Sequence, residues 1–507
     1  MKGLRRAHAP LVQRAFRTSS DDLSLRVVHG AGFAAAGMAV RTVITLVSMA
    51  VLARLLSPAD FGHVVMANVV TELAFVFSSI GLGEIIIQRK RLARVQLDTI
   101  WWASLAIGVV LMVLVAAASL LSALLFDNPL AGELLRVLCL TFLLDQLAVV
   151  PNSLLSRMLM FRQLFAIQVV TLLFRTGSAI ALALWGAGVW SLVWASVIAS
   201  LVQLLVCTGL AAYRPRWRFS RVFLLSTWRT NGSYFASGLL FYLSMNMDLA
   251  VVGRSLGAAS LGYYQAARGL ADEISARVAV PLQRVLFPAF STVQDDLARF
   301  RFGVVRSGRL LALVTIPAGF GIAAVAEELV TILYGDQWLP MIGLLQIIAP
   351  VAGLRAAATI SRPVFQSANR VDLSLKLSLA STLILAFSLL LASPWGLSGF
   401  AVAYAVNSLF ALIILGVSAR LVNIDKRELT AMLAPPLAVA LVMFAVVTAV
   451  RGYLVDAAPG LDPSPGVFAR FAILVAVGAL TYGLGILLIA RQHCGDVRNV
   501  ISRFRAR

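Results

Sequence analysis

The chain has 507 residues, 60% of them apolar and only 13% charged, with a mean hydropathy of +0.90. A soluble globular chain runs at about 45–50% apolar and about 25% charged, so a water-soluble fold is excluded. With it goes a nucleic-acid partner for the net charge of +20, because that reading needs a water-facing chain. The fold class is therefore an all-α polytopic membrane protein.

Residues 1–29 are basic (Lys2, Arg5, Arg6, Arg14, Arg17, Arg26), interrupted by Asp21-Asp22. They lack the short apolar core and small-residue cleavage site of a secretory signal, so we expect a retained cytoplasmic segment. Apolar runs of the length a bilayer requires then follow, about fourteen in all. The first six lie near 30–53, 62–87, 99–126, 131–152, 163–185 and 188–212. Six more run near 228–254, 260–287, 306–326, 339–361, 373–393 and 397–419, with two further spans near 430–452 and 467–490.

Charge orients these spans. Arg89, Lys90, Arg91 and Arg94, then Arg214, Arg216, Arg218, Arg221 and Arg229, then Arg299, Arg301, Arg306 and Arg309 fall in alternate loops. The opposite loops carry Asp127 and Glu133, Glu327, Glu328 and Asp336, and Asp456 and Asp462. Basic loops stay in the cytoplasm, which predicts a multi-pass inner (plasma) membrane protein with both termini cytoplasmic.

The spans also repeat. Arg54-Leu-Leu-Ser-Pro-Ala-Asp-Phe-Gly62 and Arg254-Ser-Leu-Gly-Ala-Ala-Ser-Leu-Gly262 share Arg, Leu, Ala and Gly at equal offsets. Trp185-Gly-Ala-Gly188 echoes Trp395-Gly-Leu-Ser-Gly399, and Pro151 with Phe161-Arg162 echoes Pro363 with Asn369-Arg370. Six spans separate the copies, so the repeat is parallel, as in transporters whose halves are related by an axis along the membrane normal. The domains expected are the segment 1–29, an N-lobe 30–212, a basic linker 213–229 and a C-lobe 230–420. Two appended spans over 421–490 and a basic tail 491–507 complete them.

Further motifs join these junctions: Gly81-Leu-Gly83 to Gln88-Arg89-Lys90, Gly186-Ala-Gly-Val-Trp190, Asn246-Met-Asp248 with Gly253-Arg254, Pro288-Ala-Phe-Ser291, and Gly335-Asp-Gln-Trp338-Leu-Pro340. Over roughly residues 30–420 the chain resembles the polysaccharide flippases of the teichuronic and colanic acid type. These are similar in turn to O-antigen flippases and belong to the multidrug, oligosaccharidyl-lipid and polysaccharide exporter superfamily. The resemblance implies a V-shaped pair of six-helix lobes around a central cavity. It also implies export of undecaprenyl-pyrophosphate-linked oligosaccharide repeat units to the outer leaflet by alternating access, for lipopolysaccharide or exopolysaccharide synthesis. A polysaccharide polymerase and a chain-length regulator would be its partners. The alternatives are a multidrug cation exporter or a peptidoglycan-precursor flippase of the same superfamily, and, in another class, a membrane-embedded glycan polymerase or ligase.

Charges kept inside a membrane usually face protein or a wet cavity. A pyrophosphate cargo calls for arginine, whose fork binds phosphate in bidentate fashion, so Arg41, Arg355, Arg268, Arg277 and Arg175 are the substrate-binding candidates. The bland reading pairs Arg268 with Asp272 and Glu273 with Arg277 along one helix face. Asp248, Asn246, Asn407 and Glu72 are candidates for Na⁺ or H⁺ coupling; the competing reading for Asp248 is a hydrogen-bonded helix contact. Arg54, Arg254 and Asp60 are gate candidates, with snorkelling as the ordinary explanation of the arginines.

No catalytic residue, metal site or cofactor is expected. None of the four lysines follows a Gly, so no Walker A loop exists, and the four histidines lack metal spacing. Gly253-Arg-Ser255-Leu-Gly257 fits the nucleophile-elbow pattern, but at the end of a membrane span it lacks the strand that the motif requires.

Overall fold

The computed structural model describes residues 41–78, 82–89, 92–457 and 463–489. The basic N-terminal segment, the start of the first span, Lys90, Arg91, Asp462 and the tail 491–507 lie outside the described residues. Every long element described is an α-helix. That is what a bilayer demands, since a helix satisfies its backbone hydrogen bonds within the segment.

In chain order the helices are α1 (residues 41–55), α2 (Pro58–Ser78), α3 (Leu82–Gln88), α4 (Arg94–Phe126), α5 (Pro129–Arg157), α6 (Phe161–Leu184) and α7 (Trp190–Ala211). Then come α8 (Arg221–Ile274), a π-turn (Ser275–Ala279), α9 (Val280–Ser291), α10 (Leu297–Ala324), α11 (Ala326–Leu333) and α12 (Met341–Ala358). The chain closes with α13 (Ser361–Ser367), α14 (Val371–Ala392), α15 (Gly396–Leu421), α16 (Lys426–Ala457) and α17 (Pro463–Ile489).

Ten helical stretches among the described residues are long and apolar enough to cross a membrane. The set is four short of the fourteen spans expected, for identifiable reasons. The first span is described only from residue 41. Span seven lies in the 54-residue α8, the most polar of the long described helices, and span eight runs from it through the π-turn into α9. Spans eleven and twelve run together as Val371–Leu421, joined only by the 3₁₀ turn Ser393–Trp395.

Local chemistry sets the ends. Asn128 caps α5 by accepting the Leu130 N–H at 3.0 Å, with Pro129 in the first turn. Asp296 does the same for α10 through Arg299 N–H at 3.1 Å. The break in α8 falls at Gly257, where φ is +78° and ψ −177°. A Cβ is strongly disfavoured there, and the glycine lets one helix stop and the next begin without a loop.

The chain divides into two compact units, residues 1–246 with Gly257–Ala259 and residues 247–256 with 260–507. The first stretch of α8 groups with the first unit, and α16 and α17 group with the second. Met432 fits against Gly308, the Tyr482 hydroxyl donates to the Leu313 carbonyl at 2.9 Å, and Arg451 meets Glu327 and, at 3.1 Å, Glu328.

In the first unit α4 packs on α5, and α7 on both α5 and α6, around Leu111, Leu134, Leu138, Phe142 and Val193. In the second, α10 packs on α12 and α16, and α15 on α12 and α14. At the α10–α12 crossing a Cβ built on Gly319 would stand 2.5 Å from the Ala349 carbonyl, and one on Gly353 2.5 Å from that of Thr315. Small residues that let backbones approach are the usual glue of membrane helices, because lipid tails remove the hydrophobic drive between them.

Candidate functional site

Each unit gathers several intramembrane charged residues in one place. In the first unit a cavity of about 490 Å³ opens among α1, α2, α5, α6 and α7. Arg41, Asn68, Thr71, Asp145, Gln168, Thr171, Arg175, Ser200 and Gln203 supply its polar wall. Arg41 and Arg175 are exposed to this space, and among the described residues neither has an ion-pair partner. Asp145, beside Ser200, is the one acid on the wall, so the cavity carries an excess of positive charge. Thr171 holds a buried hydroxyl with no hydrogen-bond partner among the described residues.

The helical period explains why these residues converge. On α6 the lining positions are 164, 167, 168, 171, 172 and 175, and on α7 they are 196, 199, 200 and 203. Those spacings of three and four residues mark one face of each helix. The amides and hydroxyls on these stripes are what arginine-seeking alone passes over. A polar stripe at helical period inside an apolar span is the signal that would have found them.

The second unit builds the opposite kind of centre. The Arg268 Nη1 lies 2.8 Å from each oxygen of Asp248, and the Tyr264 hydroxyl donates to the same carboxylate at 2.7 Å. Arg355 pairs with Asp272, to which Tyr404 donates at 2.9 Å. The Arg268 and Arg355 guanidiniums stand 5.4 Å and 5.2 Å from the centre of the Tyr404 ring, within cation–π reach. Two cations meet two carboxylates, so this network has no charge left over. Asp248 is 1% exposed and Arg268 9%, whereas Asp272 is 34% exposed.

The expected Arg268–Asp272 pair is thus the weaker contact, at 3.6 Å, and Asp248 is the principal partner. Gly257 makes that intelligible: residues about equally far before and after the break come together, and Asp248 and Arg268 flank it almost symmetrically. Arg277, on the π-turn, meets Glu273 at 2.5 Å as its spacing predicted. Among the coupling candidates, Asn246 is buried, Asn407 accepts the Ser381 hydroxyl at 2.8 Å and Glu72 is exposed on α2. Tyr404 and Tyr264 were not anticipated, since an aromatic residue in an apolar span carries no distinguishing pattern.

Of the gate candidates, Asp60 accepts both the Ser57 N–H (2.9 Å) and hydroxyl (2.7 Å), closing a capping box at the start of α2. Arg54 and Arg254 are exposed. At the junction itself, Gly62 lies against the backbone of Ala258, so that a Cβ on Gly62 would collide with the Ala258 carbonyl. Gly62 of α2 therefore touches the segment Gly257–Ala259 within the first unit.

A multi-span helical protein with a cationic, amide- and hydroxyl-lined cavity and a separate self-neutralised charge network has the make-up of a membrane transporter. Residues 51–343, more than half of the chain, match the polysaccharide biosynthesis protein family, and the chain belongs to that family. It is 28% identical over 370 residues to the lipopolysaccharide biosynthesis protein WzxC of Escherichia coli K12, covering 71% of this chain and 74% of that one. It is 29% identical over 304 residues to the succinoglycan biosynthesis transport protein ExoT of Rhizobium meliloti, covering 59% and 62%. The fold is similar to that of the lipid II flippase MurJ in an inward closed conformation, with a TM-score of 0.72, 15% identity and coverage of 91% of this chain and 99% of that one.

Proposed function

We propose that this protein is a flippase that carries polyprenyl-pyrophosphate-linked oligosaccharide units from the cytoplasmic to the outer leaflet of the inner membrane by alternating access. The observation that carries this reading is the first unit's cavity, where Arg41 and Arg175 stand among amides and hydroxyls without a described counter-ion. A lipid pyrophosphate needs cationic forks to cross a low-dielectric slab, and its sugars need dense hydrogen-bonding groups; the cavity has both. The self-neutralised network of the second unit offers no such charge, so Arg268 and Arg355 take a supporting role. The names of WzxC and ExoT, in lipopolysaccharide biosynthesis and succinoglycan transport, support the same class of cargo.

In this reading both termini face the cytoplasm, and a polymerase and a chain-length regulator take up the exported units. Coupling to H⁺ or Na⁺ at Asp248 runs through release of that carboxylate by Arg268, since the guanidinium occupies both oxygens. A multidrug cation exporter is disfavoured by the same cavity, whose two arginines repel a cationic drug.

The test is export of a lipid-linked oligosaccharide from proteoliposomes by Arg41→Ala and Arg175→Ala. A hydrogen bond to a charged group contributes about 1.5–3 kcal/mol, so each change is expected to cut the rate about tenfold to a hundredfold with insertion unchanged. Undiminished export by both variants, or efflux of cationic dyes in place of the glycan, overturns the reading.

A further inference from the structure

The stretch joining α7 to α8 reads Tyr213-Arg-Pro-Arg-Trp-Arg-Phe-Ser-Arg-Val222. Arg214, Arg216, Arg218 and Arg221 are interleaved with Trp217, Phe219 and Val222, and all seven side chains are exposed, Trp217 to 89%. A basic loop that only fixes orientation needs the charges. It needs neither large apolar side chains held out of the protein nor a fixed backbone, and this stretch has both.

The backbone is held by α4. The Tyr213 hydroxyl donates to Asp98 Oδ1 at 2.8 Å, and the Arg216 N–H donates to the same oxygen at 3.3 Å. Burial and the adjoining Asp98 carboxylate push the Tyr213 phenol well above its ordinary range, so it stays a donor at physiological pH. Trp102 Nε1 donates to the Arg216 carbonyl at 3.0 Å, and the Ser220 N–H to Thr99 Oγ1 at 3.0 Å. The Trp217 ring stacks on Trp102 with centroids 4.3 Å apart. Arg89, 4.7 Å over the Phe223 ring, adds a further cation nearby.

Position decides the partner. α7 ends at Ala211 and α8 begins at Arg221, so the stretch lies at the end of a membrane-spanning helix, at the level of the lipid headgroups. Tryptophan favours that level, and arginine binds phosphate there. A soluble polyanion would engage the arginines but leave Trp217 and Phe219 in water. We propose that residues 213–222 form a binding site for anionic phospholipid headgroups, with the four arginines on the phosphates and Trp217 and Phe219 among the upper acyl carbons. The site is independent of the cargo assigned above.

The test uses the full chain in nanodiscs of phosphatidylcholine containing an equal mole fraction of either brominated phosphatidylglycerol or brominated phosphatidylcholine. The signal of Trp217 is isolated by subtracting a Trp217→Phe variant. Since each basic residue near an anionic surface adds about a fivefold preference, brominated phosphatidylglycerol is expected to quench Trp217 at least about fivefold more effectively. Changing Arg214, Arg216, Arg218 and Arg221 together to Gln should bring the ratio to near unity, whereas changing them to Lys should keep it. If the Gln variant does not fold, high salt on the wild type serves instead, because screening must collapse the preference. Equal quenching by the two lipids, or a preference that survives the Gln changes or high salt, overturns the proposal.

Discussion

Replacing Arg268 with methionine is expected to destabilise the protein by about 3–5 kcal/mol, the cost of leaving a buried carboxylate without its counter-charge. Asp248 is 1% exposed, and once the guanidinium is gone only the Tyr264 hydroxyl, at 2.7 Å, remains on it among the described residues. A neutral donor cannot replace a cation in a medium where desolvation is this complete. Thermal unfolding in detergent, followed by the loss of helical circular dichroism, reads the cost. The double change Asp248→Asn with Arg268→Met should recover most of it, because it removes the stranded charge with its partner. Arg355→Met makes the internal comparison: its partner Asp272 is 34% exposed and can be hydrated, so its cost should be well below that of Arg268→Met. Equal melting of Arg268→Met and the wild type would show that the buried pair is not what holds this part of the second unit.

The contrast between the two charge centres also shows how far residue order alone reaches. The spans came from apolar length and the charged ends from loop asymmetry, both of which are local properties. Arg41 and Arg175 could be singled out one at a time, because an arginine in an apolar span is conspicuous wherever its neighbours lie. Their meeting in one cavity depended on the faces of α6 and α7, and those faces are written in the three- and four-residue spacing of Gln168, Thr171 and Arg175 and of Ser196, Ser200 and Gln203. The Asp272–Arg355 pair, 83 residues apart, has no such spacing; it exists because α12 packs on the π-turn that follows α8, and that contact is set by packing. The same holds for α16 and α17. Their apolar surfaces read like any other span, and only the fit of Met432 against Gly308 and of Tyr482 on Leu313 ties them to the second unit.

The second large effect is steric. Gly62→Val should strongly impair folding, because its Cβ would run into the Ala258 carbonyl. Backbone cannot rotate aside as a side chain can, so either α2 or the segment Gly257–Ala259 must move. Overpacking of this kind costs about 1–3 kcal/mol and sometimes more. Two glycine controls separate the causes. Gly257→Ala meets nothing within 4 Å but must hold φ near +78°, so its penalty is conformational alone, about 1–3 kcal/mol. Gly177→Ala lies in the exposed part of α6 with nothing within 4 Å and no unusual φ, and should be neutral or stabilising by about 0.4–1 kcal/mol. If Gly62→Val matched Gly177→Ala in melting temperature, Gly62 and Ala258 could not be in contact. If it instead fell with Gly257→Ala, while the double change cost less than the sum of the two, the coupling would place both residues at one joint. Contacting residues depart from additivity in this way and distant ones do not.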